Sequence, residues 1–243
     1  MEQAEPGKPG AVPVGCSPYL GKRLLDVMVG LVLSIVTLPI ILVMATISAV
    51  MFRSSPFFVQ QRVGLNGESI RCIKIRSLPA CTPAYLDKNA LNDHCEPTGW
   101  CGFLRRFHLD ELPQFWHVVG GSMSLVGPRP MIASIIDEIP HPMALVRQSI
   151  RPGITGPWQV SVDGAHSLLD CLDYDETYVH RASFVLDIKL LALTAAQTVG
   201  LPKRDRVQVF SMMSTAPMAV LDGERSVIML AHDTDFADAR TAS

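Results

Sequence analysis

The sequence has little charge and no excess of either sign. Asp, Glu, Lys and Arg make up 18% of the 243 residues, and 21 basic against 23 acidic side chains give a formal net charge of −2. Proteins that bind nucleic acid usually present a basic face to the phosphate backbone. We therefore expect no nucleic-acid partner.

Closely spaced cysteines are also missing. The six cysteines are scattered along the chain, and none forms a Cys-x-x-Cys pair. A zinc cluster or a disulfide framework needs tighter, paired spacing. The sequence therefore predicts reduced thiols in a cytosolic compartment.

What the sequence does contain is one long apolar run, from Val27 to Phe52, without a single charged residue. About 20 apolar residues suffice to cross the core of a bilayer. Basic residues flank the run on both sides, Lys22 and Arg23 before it and Arg53 after it, which favours placing both ends on the cytoplasmic side.

Pro39 lies near the middle of this run and predicts a break in the helix, because proline removes a backbone donor. Each arm would be about 18 Å long, roughly half the depth of a membrane. The favoured interpretation is a re-entrant helix hairpin over residues 21–53, with the Ser34 and Thr37 hydroxyls bonding the backbone groups freed at the break. A single membrane-spanning helix and a signal peptide are the alternatives.

The remaining pattern predicts an α+β, mainly helical fold, with a small cytoplasmic catalytic domain over residues 54–200, a disordered lead over 1–20 and a variable tail over 201–243. Helix 184–199 has an apolar face, with Asp187 and Lys189 at its start, and is predicted to lie at the membrane interface. The predicted strands are 57–63 and 69–75, which form a short β-hairpin through Asn66-Gly67; the predicted helices are 103–119, 132–139, 168–179 and 184–199; residues 79–98 and 151–157 are predicted to be loops.

Two adjacent carboxylates, Asp110 and Glu111, stand just before Pro113, with Arg105 about one helical turn upstream. If Pro113 lies in the first turn of a helix, both acids lie at its N-terminus, where the helix dipole favours negative charge. A purely structural role is the alternative, with Asp110 as an N-cap and Glu111 offsetting the dipole.

Arg129 is flanked by Pro128 and Pro130, which stiffen the chain around it. A guanidinium held in this way suits a phosphate, because its planar donors bind two oxygens at once. A solvated arginine in a tight surface turn is the alternative. Arg151 stands beside Gly153, which permits close backbone approach and makes a weaker candidate.

Lys74 and Arg76 are two residues apart on a predicted strand and could share one of its faces. With the carboxylates and the other arginines they form a set of charges near a membrane segment. This combination suits phosphoryl transfer, in which catalysis is mainly positioning and neutralisation of phosphate charge.

Several short stretches follow one another in a recognisable order over about residues 20–200. They are Lys22-Arg23, the apolar segment broken by Pro39, Gln61-Arg62-Val63-Gly64, Lys74-x-Arg76-Ser77, Leu109-Asp110-Glu111-Leu112-Pro113-Gln114, Met123-Ser124-Leu125-Val126-Gly127-Pro128-Arg129-Pro130 and Arg151-Pro152-Gly153-Ile154-Thr155-Gly156. This order strongly resembles the bacterial sugar transferase family, the small monotopic phosphoglycosyl transferases that begin exopolysaccharide and glycoconjugate assembly.

The resemblance implies roles for these residues. Asp110 and Glu111 would be the catalytic pair, with Asp110 attacking the sugar-side phosphorus of a UDP-sugar, and Glu111 handling protons or helping Asp110 to hold Mg²⁺. Arg129 and Arg105 would clamp phosphate. Arg151, Lys74 and Arg76 would be further phosphate- or substrate-binding residues.

The resemblance also implies the setting. The acceptor would be a polyprenol phosphate such as undecaprenyl phosphate, and UDP-glucose and UDP-galactose are reasonable donors. The enzyme would contact inner-leaflet lipid at the cytoplasmic face of a bacterial inner membrane, and a homodimer is a possible assembly.

The chain departs from the family pattern at four places: Leu38 before Pro39, His117 where Asn is usual, Ser122 where an acid is common, and Val162-Asp163 where Gly-Arg is usual. Two other functions stay open, of which the first rests on the departures at Ser122 and Val162-Asp163. One is an inactive membrane scaffold of a polysaccharide assembly complex, and the other is a lipid-phosphate hydrolase with Asp110 as nucleophile.

Overall fold

The computed structural model describes residues 19–79 and 99–214. The predicted lead over residues 1–20 and the predicted loop over 79–98 fall almost wholly outside these ranges. The described chain is mainly helical with two small sheets, which confirms the predicted α+β class. The helices are α1 (Lys22–Phe52), α2 (Gly99–Arg106), α3 (Gln114–Gly120), α4 (Ala133–Ile136), α5 (His141–Gln148), α6 (Pro157–Val160), α7 (Leu172–Arg181), α8 (Phe184–Thr198) and α9 (Arg206–Met213), and the strands are β1 (Phe57–Val63), β2 (Ser69–Ile75), β3 (Ser124–Val126) and β4 (Gly153–Thr155).

Helix α1 has 31 residues and is long and apolar enough to cross a membrane by length and composition. Helical structure is continuous through Pro39, where the sequence predicts a break. The Thr37 hydroxyl donates to the Leu33 carbonyl at 2.7 Å, rather than to the Ile35 carbonyl that Pro39 leaves without its usual donor. The Ser34 hydroxyl is buried and has no hydrogen-bond partner in the described part of the chain.

Both halves of α1 pack on the globular domain through one side of the helix, and the other side is exposed. Gly30 lies so close to α3 that a Cβ there would come within 3.0 Å of Val118. Ile41 is buried with Ile75 of β2 and Leu104 of α2. The other side of α1 exposes apolar side chains along its whole length, from Leu24 at 67% through Ile35 at 64% to Val50 at 72% exposure.

Polar side chains fix the N-terminal end of α1 to β3. The Lys22 ammonium donates to Asp187 at 2.6 Å and to the Val126 carbonyl at 3.0 Å, and Asp26 accepts from the Leu125 amide at 3.0 Å. Asp187 is therefore buried at the start of α8 and does not lie on a polar outer face. Because β3 leads directly into Gly127, these bonds also position the segment that carries Arg129.

The hairpin of β1 and β2 forms as predicted, in antiparallel register from Phe57↔Ile75 to Val63↔Ser69. Asn66 and Gly67 have φ values of 54° and 78° in the connecting turn, and these two residue types tolerate this left-handed conformation best.

The prediction of a loop over residues 151–157 is wrong for its centre. Gly153–Thr155 forms β4, which pairs in parallel with β3 in the register Ser124↔Gly153 and Val126↔Thr155. A Cβ at Gly153 would lie 2.1 Å from the amide nitrogen of Gly127, so the two chains can approach only because this residue has no side chain. Three residues are too few to show a strand periodicity.

The region predicted as a variable tail begins with folded structure. Helix α9 buries Val209, Phe210 and Met213 in the main core, and the Phe210 ring lies 4.7 Å from that of Tyr174. The folded domain therefore extends past residue 200 to at least the end of α9.

Candidate active site

The two carboxylates lie in a turn between two helices. The sequence predicts one helix over residues 103–119, and this is wrong: α2 ends at Arg106, His108 adopts a left-handed conformation with φ of 53°, and Leu109–Glu111 forms a 3₁₀ turn. Helix α3 starts only after Pro113, which lacks the N–H that would continue a helical ladder. Asp110 and Glu111 therefore precede α3, and Asp110 caps neither helix.

Glu111 is held by two cations. Its Oε1 accepts from Lys74 Nζ at 2.6 Å and from an Arg129 guanidinium nitrogen at 2.8 Å, with the Glu111 side chain only 11% exposed. Burial alone would raise the pKa of Glu111, but the Arg129 and Lys74 charges outweigh burial and hold that pKa well below its usual value. In return, the Glu111 charge raises the pKa of Arg129. Glu111 is therefore a fixed anion that orients two cations.

Asp110 has the opposite character. It is 8% exposed, and its carboxylate receives no hydrogen bond from the described residues. Burial raises its pKa, and the Glu111 charge raises it further, against the weaker effects of Lys74, His108 and Arg105. A carboxylate that is buried beside fixed cations yet bonded to none of them is available to an incoming group.

The backbone around Arg129 is anchored through its carbonyls. Pro128 and Pro130 have no N–H, so carbonyl acceptors carry most of the hydrogen bonds that can hold this segment. Four consecutive carbonyls accept from three different elements: Pro128 from the Gly153 amide at 2.9 Å, Arg129 from the Arg147 guanidinium at 2.9 Å, Pro130 from the Arg62 guanidinium at 2.8 Å and Met131 from the Val63 amide at 2.7 Å. The stiff segment expected from the sequence is thus anchored at every residue.

Besides Asp110, which bonds to none of its members, three of the residues predicted for the site lie outside the cluster of Lys74, Glu111 and Arg129. Arg105 faces Asp110 only at a distance, where its charge lowers the pKa of that carboxyl. Arg76 donates to the Ser55 carbonyl at 2.8 Å and ties β2 to the end of α1. Arg151 donates to the Gly121 carbonyl at 2.7 Å and fixes the turn before β3.

A small cleft opens beside the cluster, with an empty volume of about 260 Å³ that includes its mouth. Arg62 and Gln114 each lie in one of the motifs without a predicted role, and Cys72 lies in none of them. The lining residues are Arg62, Cys72, Lys74, Glu111, Gln114, Arg129, Pro130, Gly153 and Ile154.

The residues present suit a metal ion held partly by substrate. The described residues contain no group of three or more Cys, His, Asp or Glu side chains that would form a closed metal site. Mg²⁺ is commonly held by one or two carboxylates together with phosphate oxygens and waters. The Asp110 carboxylate, which has no donor, fits such a site, and Glu111 is already engaged by Lys74 and Arg129.

Two of the departures from the family pattern contact each other. Nε2 of His117 accepts from the Ile73 amide at 3.1 Å, and its Nδ1 lies 3.3 Å from the Ser122 hydroxyl. Since an amide can only donate, Nε2 carries no proton, and burial lowers the pKa of His117. A neutral His117 thus joins α3 to β2 beside Lys74.

Comparison with known proteins places this geometry in a family. The model of the family described as bacterial sugar transferase matches residues 17–200. The chain belongs to the bacterial sugar transferase family. As the motifs indicated, the match covers α1, both sheets and α8, and it ends before α9.

Individual members of the family are similar over much of the chain. A UDP-glucose:undecaprenyl-phosphate glucose-1-phosphate transferase of Klebsiella pneumoniae is 33% identical over 75% of this chain, which corresponds to 42% of that protein. The uncharacterized sugar transferase EpsL of Bacillus subtilis is 34% identical over 73% of this chain and 87% of its own length. The exopolysaccharide production protein ExoY of Sinorhizobium fredii is 28% identical over 78% of this chain and 89% of its own. This chain thus spans less than half of the Klebsiella transferase.

Proposed function

We propose that this family member transfers a sugar 1-phosphate from a UDP-sugar to a polyprenol phosphate at a membrane and releases UMP. The printed activity of the Klebsiella relative supports the donor and acceptor classes. The observation that carries the proposal is the pairing of a buried, unbonded Asp110 carboxylate with cations already fixed around Glu111.

The reaction proceeds in two displacements at phosphorus. A carboxylate oxygen of Asp110 attacks the sugar-side phosphorus, the bridging P–O bond breaks, and UMP leaves with the bonding electron pair. A phosphate oxygen of the polyprenol phosphate then attacks the same phosphorus. The bond to Asp110 breaks, the carboxylate is regenerated, and the product is a polyprenyl diphosphate sugar.

Arg129, Lys74 and Glu111 have different roles in these two steps. Arg129 and Lys74 neutralise the charge that develops on the phosphate oxygens, from positions that Glu111 sets in advance. Glu111 is a poor proton carrier, because its two cations hold its pKa well below the usual range. Its role is therefore to orient the cations rather than to transfer protons.

Asp110 is the group that would hold Mg²⁺ together with the donor's phosphate oxygens, and Glu111 contributes less than the family resemblance implies. The ion would supply further neutralisation of phosphate charge. Lys74 and Arg129 supply positive charge at the site independently of the ion, because Glu111 holds both side chains in place.

We propose that both ends of α1 stay at the cytoplasmic face of the inner membrane, as in a re-entrant placement, although helical structure is continuous through Pro39. A 31-residue helix is about 46 Å long, and a bilayer core is about 30 Å thick. Both halves of α1 pack on one domain, so a spanning orientation would draw that domain into the lipid. With the exposed apolar side of α1 in the lipid, the phosphate of the lipid acceptor and the water-soluble donor would reach Asp110 and its neighbouring cations in turn.

The test incubates the protein in membranes with a UDP-sugar, undecaprenyl phosphate and Mg²⁺, and measures UMP and the glycolipid product. We expect both products from the wild type and neither from Asp110→Asn. Asp137→Asn, an exposed acid away from the site, is the matched control. Release of sugar phosphate into water in place of glycolipid would indicate a hydrolase, and full turnover by Asp110→Asn would exclude the covalent route.

A further inference from the structure

Behind the segment that carries Arg129 lies a second arginine that the motifs do not identify. Arg147 lies on α5, and its side chain is 3% exposed. Its Nε lies 2.9 Å from Asp175 of α7, an ion pair without hydrogen-bond geometry, and the Asp175 side chain is itself 1% exposed. One terminal nitrogen donates to the Arg129 carbonyl at 2.9 Å, and the other contacts the Met131 sulfur at 2.9 Å.

A buried ion pair of this kind is not explained by stability alone. Two charges lose their hydration on burial, and well-packed apolar residues often serve stability equally well. Burial raises the pKa of Asp175 to about 6, although the Arg147 charge opposes the shift. Burial of the pair therefore costs stability, which points to a second role for the Arg147 guanidinium in orienting the groups that it contacts.

Arg147 bonds the backbone carbonyl of Arg129, and the position of that peptide affects where the Arg129 side chain points. The Arg129 carbonyl belongs to the residue whose guanidinium contacts Glu111 at 2.8 Å. A rotation of this peptide would move the start of the Arg129 side chain, and errors of about 1 Å at a reacting centre reduce rates by about a hundredfold. Arg147 does not line the cleft with Lys74 and Glu111; it borders a neighbouring pocket on the other side of the Pro128–Met131 segment, where its side chain is only 3% exposed.

We propose that Arg147, held by Asp175, is a positioning residue that fixes the Arg129 backbone and so aims the Arg129 guanidinium at the substrate's phosphate. Arg62, which donates to the neighbouring Pro130 carbonyl, differs because it also lines the cleft and can contact substrate directly. The proposal rests on the proposed function, in which Arg129 binds a phosphate of the UDP-sugar.

A double-mutant cycle separates positioning from general stability. Arg147→Met and Arg147→Lys are each made in the wild type and in Arg129→Ala, and every protein is normalised to its folded fraction. UMP release and the dissociation constant of UDP are both measured. We expect either substitution to lower kcat/KM by about 10- to 100-fold in the wild type, as loss of a supporting residue commonly does at other sites. In the Arg129→Ala background the further loss should stay below about threefold.

The lysine variant protects the test against misfolding. A lysine retains a charge for Asp175 but is a single point donor that cannot also bond the Arg129 carbonyl in the same geometry. Arg206→Met is the matched control, because Arg206 also pairs with two carboxylates, Asp163 and Asp173, away from the cleft. Its effect should be the same in both backgrounds.

Equal losses for the Arg147 variants in both backgrounds would overturn the positioning role. A wild type that binds UDP without releasing UMP from any UDP-sugar would overturn the proposed function, and the cycle in UDP affinity would still decide the positioning role. A wild type that neither binds UDP nor releases UMP would overturn both.

Discussion

Replacing Glu111 by Gln removes the charge at the centre of the cluster and keeps its shape. The Glu111 Oε1 accepts bonds of 2.6 and 2.8 Å from Lys74 and Arg129. Removing one partner of a buried ion pair costs about 3–5 kcal/mol. The glutamine side chain can still accept from both cations, and the Lys74 and Arg129 side chains are 19% and 30% exposed, so we expect a smaller loss of about 2–3 kcal/mol.

The assay is urea unfolding of the detergent-solubilised protein, followed by the fluorescence of its tryptophans. Glu68→Gln is the matched control, because Glu68 is exposed, forms no ion pair within the described residues, and should change the free energy of unfolding by less than about 0.5 kcal/mol. A loss for Glu111→Gln as small as that of the control would refute the reasoning that the cations depend on this carboxylate.

The same substitution makes a second, independent prediction. The Glu111 charge is, after burial, the main cause that raises the pKa of Asp110. Its removal should lower that pKa, so the acid limb of the pH profile for UMP release should move to lower pH. A shift to higher pH would mean that Glu111 does not act on Asp110 through its charge.

The remaining predictions concern separate parts of the structure. Arg129→Ala should lower kcat for UMP release at least a hundredfold, the scale seen when one charge-stabilising donor is lost, and a tenfold effect or less would leave it a structural role. The wild type should lose stability below about pH 6.5, because the imidazole of His117 takes up a proton more readily in the unfolded chain than when it is buried; His117→Asn should make this loss smaller. Melting temperatures measured across pH check this, with substitution of the exposed His166 by Asn as the control. Phe210→Ala should destabilise the domain by about 3–5 kcal/mol, because the Phe210 ring is buried in the core. No change in thermal unfolding would mean that α9 does not belong to the folded domain.

Local sequence patterns predicted those parts of the molecule that depend on nearby residues. The hairpin follows from two alternating segments around Asn66-Gly67, and α8 follows from its periodicity. The sequence indicates Glu111 and Arg129 as charged residues near prolines and Lys74 as a cation on a strand, and the structure brings these three together.

Patterns failed where distant contacts decide the structure. The burial of Asp187 depends on Lys22, which is 165 residues away in the sequence. The residues adjacent to Asp187 give no indication of this partner. The break at His108 depends on a left-handed conformation that this residue type adopts only occasionally. Arg76 and Arg151 are arginines predicted to bind phosphate or substrate, as Arg129 is, yet each donates to a backbone carbonyl elsewhere.

The central claim is that the Asp110 side chain carries the phosphosugar between donor and acceptor. Mixing the protein with a radiolabelled UDP-sugar in the absence of polyprenol phosphate, followed by peptide mapping, tests it most directly. We expect label on the peptide that contains Asp110, with a matching amount of UMP, and loss of the label when the lipid acceptor is added. An unlabelled protein that still forms glycolipid whenever both substrates are present would contradict the account.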